Sequence, residues 1–294
     1  MTVRTTQTAA LAEREHVVAR ARRRLKAGDL ALYLVLTLLA LVFAMPFFLM
    51  LSNAFKTSAE IIQIPPTLIP EHPSLDSFRE VLRSAPYLTW FRNSIVVASS
   101  VTLITLFTSS IAGYIFAKFD FPGKGLLFVL LLSTMMVPFS VLLIPMYLIA
   151  DYLHLLNTLW ALIVPGMVSA FGVFLLRQFI ANIPNDLIEA ARMDGASEFS
   201  IYSRVIVPLV GPPLAALGIF TFLGSWNDYL WPLVVVNDLN KMTLPLALSF
   251  FNSAHAQRYD LVMASATMMV LPVFVVFGIF QRYIVNAFVL TGIK

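Results

Sequence analysis

A chain of 294 residues is long enough for one or two soluble domains, but 59% hydrophobic and only 12% charged residues exclude a water-soluble globule and indicate an integral membrane protein. Cysteine is absent, which excludes disulfides, thiolate metal sites and a cysteine nucleophile without identifying a compartment. The net charge of +4 is unevenly placed, a pattern of membrane orientation rather than of nucleic-acid binding.

Residues 1–29 form a polar tail in which Arg20, Arg22, Arg23, Arg24 and Lys26 crowd against the first apolar run, as retention charges beside a membrane helix do. Residues 31–52 carry no charge and, at roughly 1.5 Å per residue, suffice to cross about 30 Å of hydrocarbon. The run is too long for a signal-peptide core, so a retained first helix is predicted. Residues 53–90 are polar, with Pro65-Pro66, Pro70 and Pro73, and are expected outside. The second crossing, 94–117, leads into a turn with Lys118 and Lys124, expected inside. Gly123-Lys124-Gly125 lacks the upstream glycine and following Ser/Thr of a phosphate-binding loop, so no nucleotide site is assigned there.

The third crossing, 125–150, contains Pro138 and Pro145, and the fourth, 158–176, is broken by Pro165-Gly166. Prolines in membrane helices bend them where neighbours satisfy the freed carbonyls. The fifth, 213–236, contains Trp226-Asn227-Asp228-Tyr229, with Asp228 roughly 22 Å along it. A carboxylate at that depth faces protein or water. Asp228 and Asn227 either line a pathway with Trp226 or cap a helix break near Trp231-Pro232; the sequence leaves both open. Phe91, Tyr147, Phe171 and Trp226 are the aromatics considered for stacking on a sugar, although most such residues face lipid or core. The sixth crossing is 261–280. This gives an all-α membrane protein with six crossings, one membrane domain over 30–294 and both ends inside. His16, His72, His154 and His255 are scattered, and no catalytic or metal-binding constellation is found.

Residues 177–212, between the fourth and fifth crossings, read as two short helices meeting at an elbow. Asp186 with Glu189 three residues on is a capping-box variant for the first helix. Gly195 can supply the left-handed turn and Ser197 the cap of the second helix, while Pro208 limits the second helix. Ala190 and Ala191 would let another surface approach the backbone. Phe199, Tyr202, Val205 and Ile206 recur at helical spacing and are expected to anchor the second helix.

Glu189-Ala190-Ala191, Gly195, and the ending Val205, Val207, Pro208 resemble the "EAA loop" of binding-protein-dependent ABC importer permeases; Val205 and Val207 depart conservatively from the usual Ile-x-Leu-Pro. Phe55-Lys56-Thr57 with Glu60 and Pro65-Pro66, Trp226-Asn227-Asp228-Tyr229 with Trp231-Pro232, Thr243-Leu244-Pro245, and Gln281-Arg282-Tyr283-x-Val285-Asn286 ending Gly292-Ile293-Lys294 extend the likeness to the maltose-type carbohydrate permeases, and among them to the smaller maltose permease subunit. The resemblance implies a type I ABC importer permease fold with cytoplasmic coupling helices in a bacterial or archaeal inner membrane. It implies Glu189, Ala190, Ala191, Asp194, Gly195 and Phe199 as the surface that docks on the ATPase. It further implies a second, homologous permease, two ATPase subunits holding ATP and Mg, and an extracytoplasmic solute-binding protein, with no cofactor in this chain and no nucleic-acid partner. By the same likeness the last outer loop, 237–259, with Thr243, Leu244, Pro245 and Phe250, reaches the binding protein. A sugar or oligosaccharide is the implied cargo; glycerol-phosphate or a polyol on the same machinery is the alternative. A self-contained secondary transporter is the rival of another class, for which only Asp228 is available as a buried ionisable group.

Overall fold

The computed structural model describes residues 27–254 and 258–292, with side chains except those of residues 27, 252–254, 276 and 279–292. Most of the basic tail, His16, His255 and the side chains of the Gln281-Arg282-Tyr283 pattern therefore lie outside the described residues. The chain divides into two compact units, residues 1–50 and 51–294. The first contains most of helix α1 (Ala27–Ala54), whose side chains from Leu30 to Phe48 are almost all exposed and apolar, the surface of a helix suited to lipid.

The second unit runs α2 (Asp76–Ser84), α3 (Tyr87–Lys118), α4 (Lys124–Thr134), α5 (Phe139–Tyr152), α6 (Leu159–Ile163), α7 (Ala170–Ala181), α8 (Asn185–Met193), α9 (Glu198–Ile201), α10 (Gly211–Trp226), α11 (Leu230–Val235), α12 (Leu244–Ala254) and α13 (Tyr259–Gly292), with single turns between them. No strand occurs among the described residues. The segments 31–52, 94–117 and 261–280 lie within α1, α3 and α13, and the other three fall on helices that are not continuous. The 125–150 segment is α4 and α5, bent by 100° at a break that ends on Pro138. The 158–176 segment is α6, a 3₁₀ turn through Val164–Gly166, and α7, while 213–236 is α10 and α11 parted at Asn227–Tyr229. By length and apolarity three helical stretches qualify alone as spans, and up to five if each bent pair counts once.

Helix α3 is the axis of the second unit. Along it, Trp90 and Ala98 belong to one buried cluster with Trp226, Phe251 and Leu261; Val97 and Val101 belong to a second with Leu162 and Trp231; and Tyr114 belongs to a third with Leu176, Ile188 and Ile201. Hydroxyls on α3 satisfy the backbone exposed by the α6–α7 break. Thr105 donates to the carbonyl of Gly166 at 2.7 Å and Thr108 to that of Met167 at 2.8 Å, and Ser169 caps α7 by accepting from the N–H of Gly172 at 3.0 Å. This is how a break survives at membrane depth.

The approach of α7 to α3 is set by small residues. A Cβ at Gly172 would lie 2.4 Å from Ser109 Oγ and 3.0 Å from Ser109 Cβ, and one at Gly113 would lie 3.0 Å from the backbone nitrogen of Arg177. Such small-residue contacts replace the hydrophobic drive that lipid removes. We expect Gly172→Val to destabilise the fold by about 1–3 kcal/mol, as overpacking does. Thermal unfolding in detergent should show the loss, with partial recovery in the Gly172→Val, Ser109→Gly double variant.

Candidate functional site

Helix α8 does not start on a capping box. Its cap position is Pro184, with φ −57 and no side-chain cap bond, and Asp186 lies inside the first turn. Proline fixes the entry dihedral here, leaving Asp186 to favour the positive end of the helix rather than to cap it. Asn185 instead accepts from the Lys118 ammonium at 2.8 Å; Lys118, the last residue of α3, also donates to the carbonyl of Ile183, so one cation ties the end of α3 to the start of α8.

The elbow forms as expected. Gly195 has φ +80, the Ala196 N–H bonds the Ala191 carbonyl and the Gly195 N–H bonds that of Arg192, both at 3.0 Å, which is a Schellman closure. Ser197 accepts from the N–H of Ser200 at 3.3 Å and starts α9. The second segment then widens into a π-helical turn at Tyr202–Ile206, because Pro208 has no N–H to offer the preceding turn. It runs on through Leu209, and the bend into α10, 81°, falls at Val210.

One side of the elbow is fixed. Ile188, Ile201, Tyr202 and Ile206 are buried against Tyr114, Leu176, Ile180 and Leu217, with Ala191 and Val205 packed beside them. The Tyr202 and Ser110 hydroxyls lie 2.6 Å apart. Glu198 accepts from Tyr114 at 3.1 Å and from Arg192 Nε at 2.6 Å, joining both arms of the elbow to α3. The Arg192 guanidinium, then the Tyr114 hydroxyl, hold the Glu198 carboxyl below the ordinary glutamate range, and Glu198 in turn raises Arg192. With the folded value depressed, this link is intact at neutral pH and is lost as pH falls through that value.

The other side is open. Glu189, Ala190, Asp194 and Gly195 are exposed, Met193 is 88% exposed and Phe199 67%. Phe199 therefore does not anchor its helix as its spacing suggested: the burying stripe passes through Ile201 instead, and the Phe199 ring lies beside that of Tyr202, centroids 5.9 Å apart. Sequence reasoning missed Lys118, Tyr114, Arg192 with Glu198, and Met193. Opposite charges flanking Gly195 were a usable signal for the ion pair; the contribution of α3, more than 60 residues away along the chain, had none.

The remaining candidates separate into different environments. Trp226 is a core residue, 1% exposed, stacked on Phe222 and edge-on to Phe91. Asn227 is exposed and donates to the Leu223 carbonyl at 2.9 Å, closing α10. Asp228 accepts from the Trp231 N–H at 3.5 Å and lines a cavity of about 500 Å³. Thr243, Leu244 and Pro245 are buried, and Phe250 is half-buried with its ring edge-on to Trp90. They anchor the loop, because Trp90, Asn93 and Ser94 of α3 bond the backbone of Leu239, Asn240, Met242 and Leu244. Residues 237–241 of that loop are exposed, as are Arg258 and Tyr259 at its end. Among the described residues no group of three or more His, Asp or Glu side chains converges on a metal position.

An apolar scaffold that is all-helical among the described residues, with broken helices and an elbow open on one side, is the architecture of a membrane permease subunit. The chain belongs to the family described as binding-protein-dependent transport system inner membrane components, which it matches over residues 109–289. It is 36% identical over 268 residues to the arabinooligosaccharides transport system permease protein AraQ of Bacillus subtilis, covering 90% of this chain and 95% of that one. It is 34% identical over 265 residues to the lactose transport system permease protein LacG of Rhizobium radiobacter, covering 90% and 96%. A chain in the crystal structure of a bacterial ABC transporter involved in import of the acidic polysaccharide alginate matches with a TM-score of 0.77 at 24% identity, over 89% of this chain and 98% of that one. The fold is thus that of type I ABC importer permeases.

No heavy atom lies within 4 Å of a Cβ built on Gly195, so substitutions there act through backbone strain alone. Gly195→Val should cost about 1–2 kcal/mol and Gly195→Asn less. Thermal unfolding should rank glycine, asparagine and valine in that order.

Proposed function

We propose that this chain is one permease subunit of an ATP-driven importer, forming half of a translocation pathway for a sugar or oligosaccharide delivered by an external binding protein. It pairs with a second, homologous permease and receives its drive from two separate ATPase subunits that hold ATP and Mg. In this reading the chain crosses the membrane six times, with both ends and the 177–212 elbow on the cytoplasmic side and the exposed stretch 237–241 toward the binding protein. The carbohydrate assignment is supported by relatives named for arabinooligosaccharide and lactose transport.

The observation that carries the coupling role is the two-sided elbow. Its buried side is pinned to α3, while its other side presents Glu189, Ala190, Met193 and Phe199 to a partner. A large apolar side chain left exposed beside a carboxylate on a pinned scaffold is the chemistry of a docking surface. A rigid backing lets force applied to that surface reach the membrane helices instead of being dissipated in the loop.

In proteoliposomes holding the whole assembly, Phe199→Ser and Glu189→Lys should each lower uptake by about tenfold, the order expected for a central contact. The chain should remain folded, since both side chains are exposed. Uptake that continues without the ATPase subunits would overturn the proposal. Because the chain has no native cysteine, Glu189→Cys gives a single label site; a membrane-impermeant maleimide added outside should not reach it in intact cells.

A further inference from the structure

Two cavities of similar size flank the α3–α10 pair. One, about 550 Å³, is walled chiefly by Leu106, Phe107, Ile219 and Phe222 and offers a solute little but hydrocarbon. The other, about 500 Å³, lies where three helix breaks of the second unit meet: Phe139 from α4–α5, Ser169 from α6–α7, and Thr221, Ser225, Asp228 and Trp231 from α10–α11. Both volumes are within the usual range for small-molecule sites. Breaks of this kind bring hydrogen-bonding groups to a depth where unbroken helices offer none, as in transporter binding sites.

The chemistry of the second cavity is specific. Thr221 and Ser225, four residues apart on α10, share one face of that helix, and Asp228, just past its end, lines the same cavity. The Asp228 carboxylate receives backbone N–H groups at the start of α11, yet a carboxylate has more acceptor positions than these occupy. Phe139 is 43% exposed and is braced edge-on by Trp231, ring centroids 6.3 Å apart; Trp231 is itself held by an indole N–H bond to the Ala161 carbonyl at 2.8 Å. A fixed aromatic face, two hydroxyls and one carboxylate acceptor match a sugar ring, with its C–H face and its adjacent hydroxyls. No Lys, Arg or His lines the cavity, so a second negative charge brought beside Asp228 would meet repulsion with nothing to offset it.

Building on the importer reading above, we infer that this cavity is a transient substrate site for a neutral sugar ring, with Asp228 as hydroxyl acceptor and Phe139 as stacking face, and that it rejects uronates. All of these residues belong to this chain.

The test uses the full chain in nanodiscs, titrated with lactose, maltose or arabinobiose and, separately, with digalacturonic acid. At least one neutral disaccharide should bind, and digalacturonate should bind about tenfold more weakly or worse. Asp228→Asn and Asp228→Ser both keep a residue able to start α11, so a purely structural Asp228 would leave sugar binding unchanged. Both should instead weaken the neutral sugar by about tenfold and bring the acidic one level with it. Phe139→Ala should weaken both ligands together. Failure of every neutral sugar to bind, equal binding of digalacturonate by the unaltered chain, or unchanged affinities in the Asp228 variants would overturn the site. Uptake by the whole assembly separates the two readings: import of a neutral sugar without any binding in nanodiscs removes the site and leaves the permease, whereas absence of all sugar import removes the carbohydrate reading itself.

Discussion

The near-contact of α7 with α3 at Gly172 and Ser109 is the constraint on which the rest of the second unit rests. In lipid there is no hydrophobic penalty for separating two apolar helices, so association depends on close packing and on polar groups that find partners. Both operate here over less than three turns. Where α7 touches α3 its side chain is reduced to hydrogen, and just before that point the hydroxyls of Thr105 and Thr108 take up the carbonyls of Gly166 and Met167. Had α7 stood farther off, those carbonyls would have lost their partners and the α6–α7 break would not be tolerated. The close packing and the break therefore depend on each other.

The same axis explains why the elbow has one fixed and one free side. Lys118 and Tyr114 lie one turn apart on α3, and their polar ends reach the start of α8 and the start of α9. Between them, Ile188 and Ile201 close the apolar seam. Two polar ties and one seam hold two short helices that would have little stability alone, since isolated helices of this length are marginal in water. What remains for a partner is the opposite surface, where Met193 and Phe199 stay largely uncovered by the described residues.

How much of this the sequence discloses depends on the range of the interaction. The turn at Gly195 and the cap at Ser197 were legible because a left-handed residue and an N-cap are decisions made within four residues. The apolar runs were legible because lipid imposes composition on long segments. The start of α8 was misread because Asp186 and Glu189 fit a local rule, while Pro184 and the distant Lys118 determined the outcome. The placement of Phe199 and Trp226 was hidden for a related reason. Both are large aromatics in helical context, and only tertiary packing decides that Phe199 points out while Trp226 is enclosed by Phe91 and Phe222. The 100° bend between α4 and α5 was equally hidden: Pro138 announced a distortion, but its size is set by what packs around it.

The elbow and the Asp228 cavity occupy opposite ends of one helix. The π-helical turn, Pro208 and the bend at Val210 hand the chain into α10 without an intervening loop; Pro212 and Pro213 stand in its first turn, where a missing N–H costs nothing. Helix α10 has 16 residues and so spans about 24 Å, with Thr221 and Ser225 near its far end and Asp228 just beyond it. A displacement of the elbow enters α10 at Gly211, and a hydrogen-bonded helix of that length shifts as a rod far more readily than it stretches. The far end is where continuity stops, at Asn227–Tyr229, so motion carried along α10 would appear as a change of angle against α11. The cavity wall is built across that joint, with Ser225 on one side and Trp231 on the other. Movement at the elbow would therefore alter the cavity's shape more than its composition, as the proposed site would need in order to accept a sugar ring and then release it.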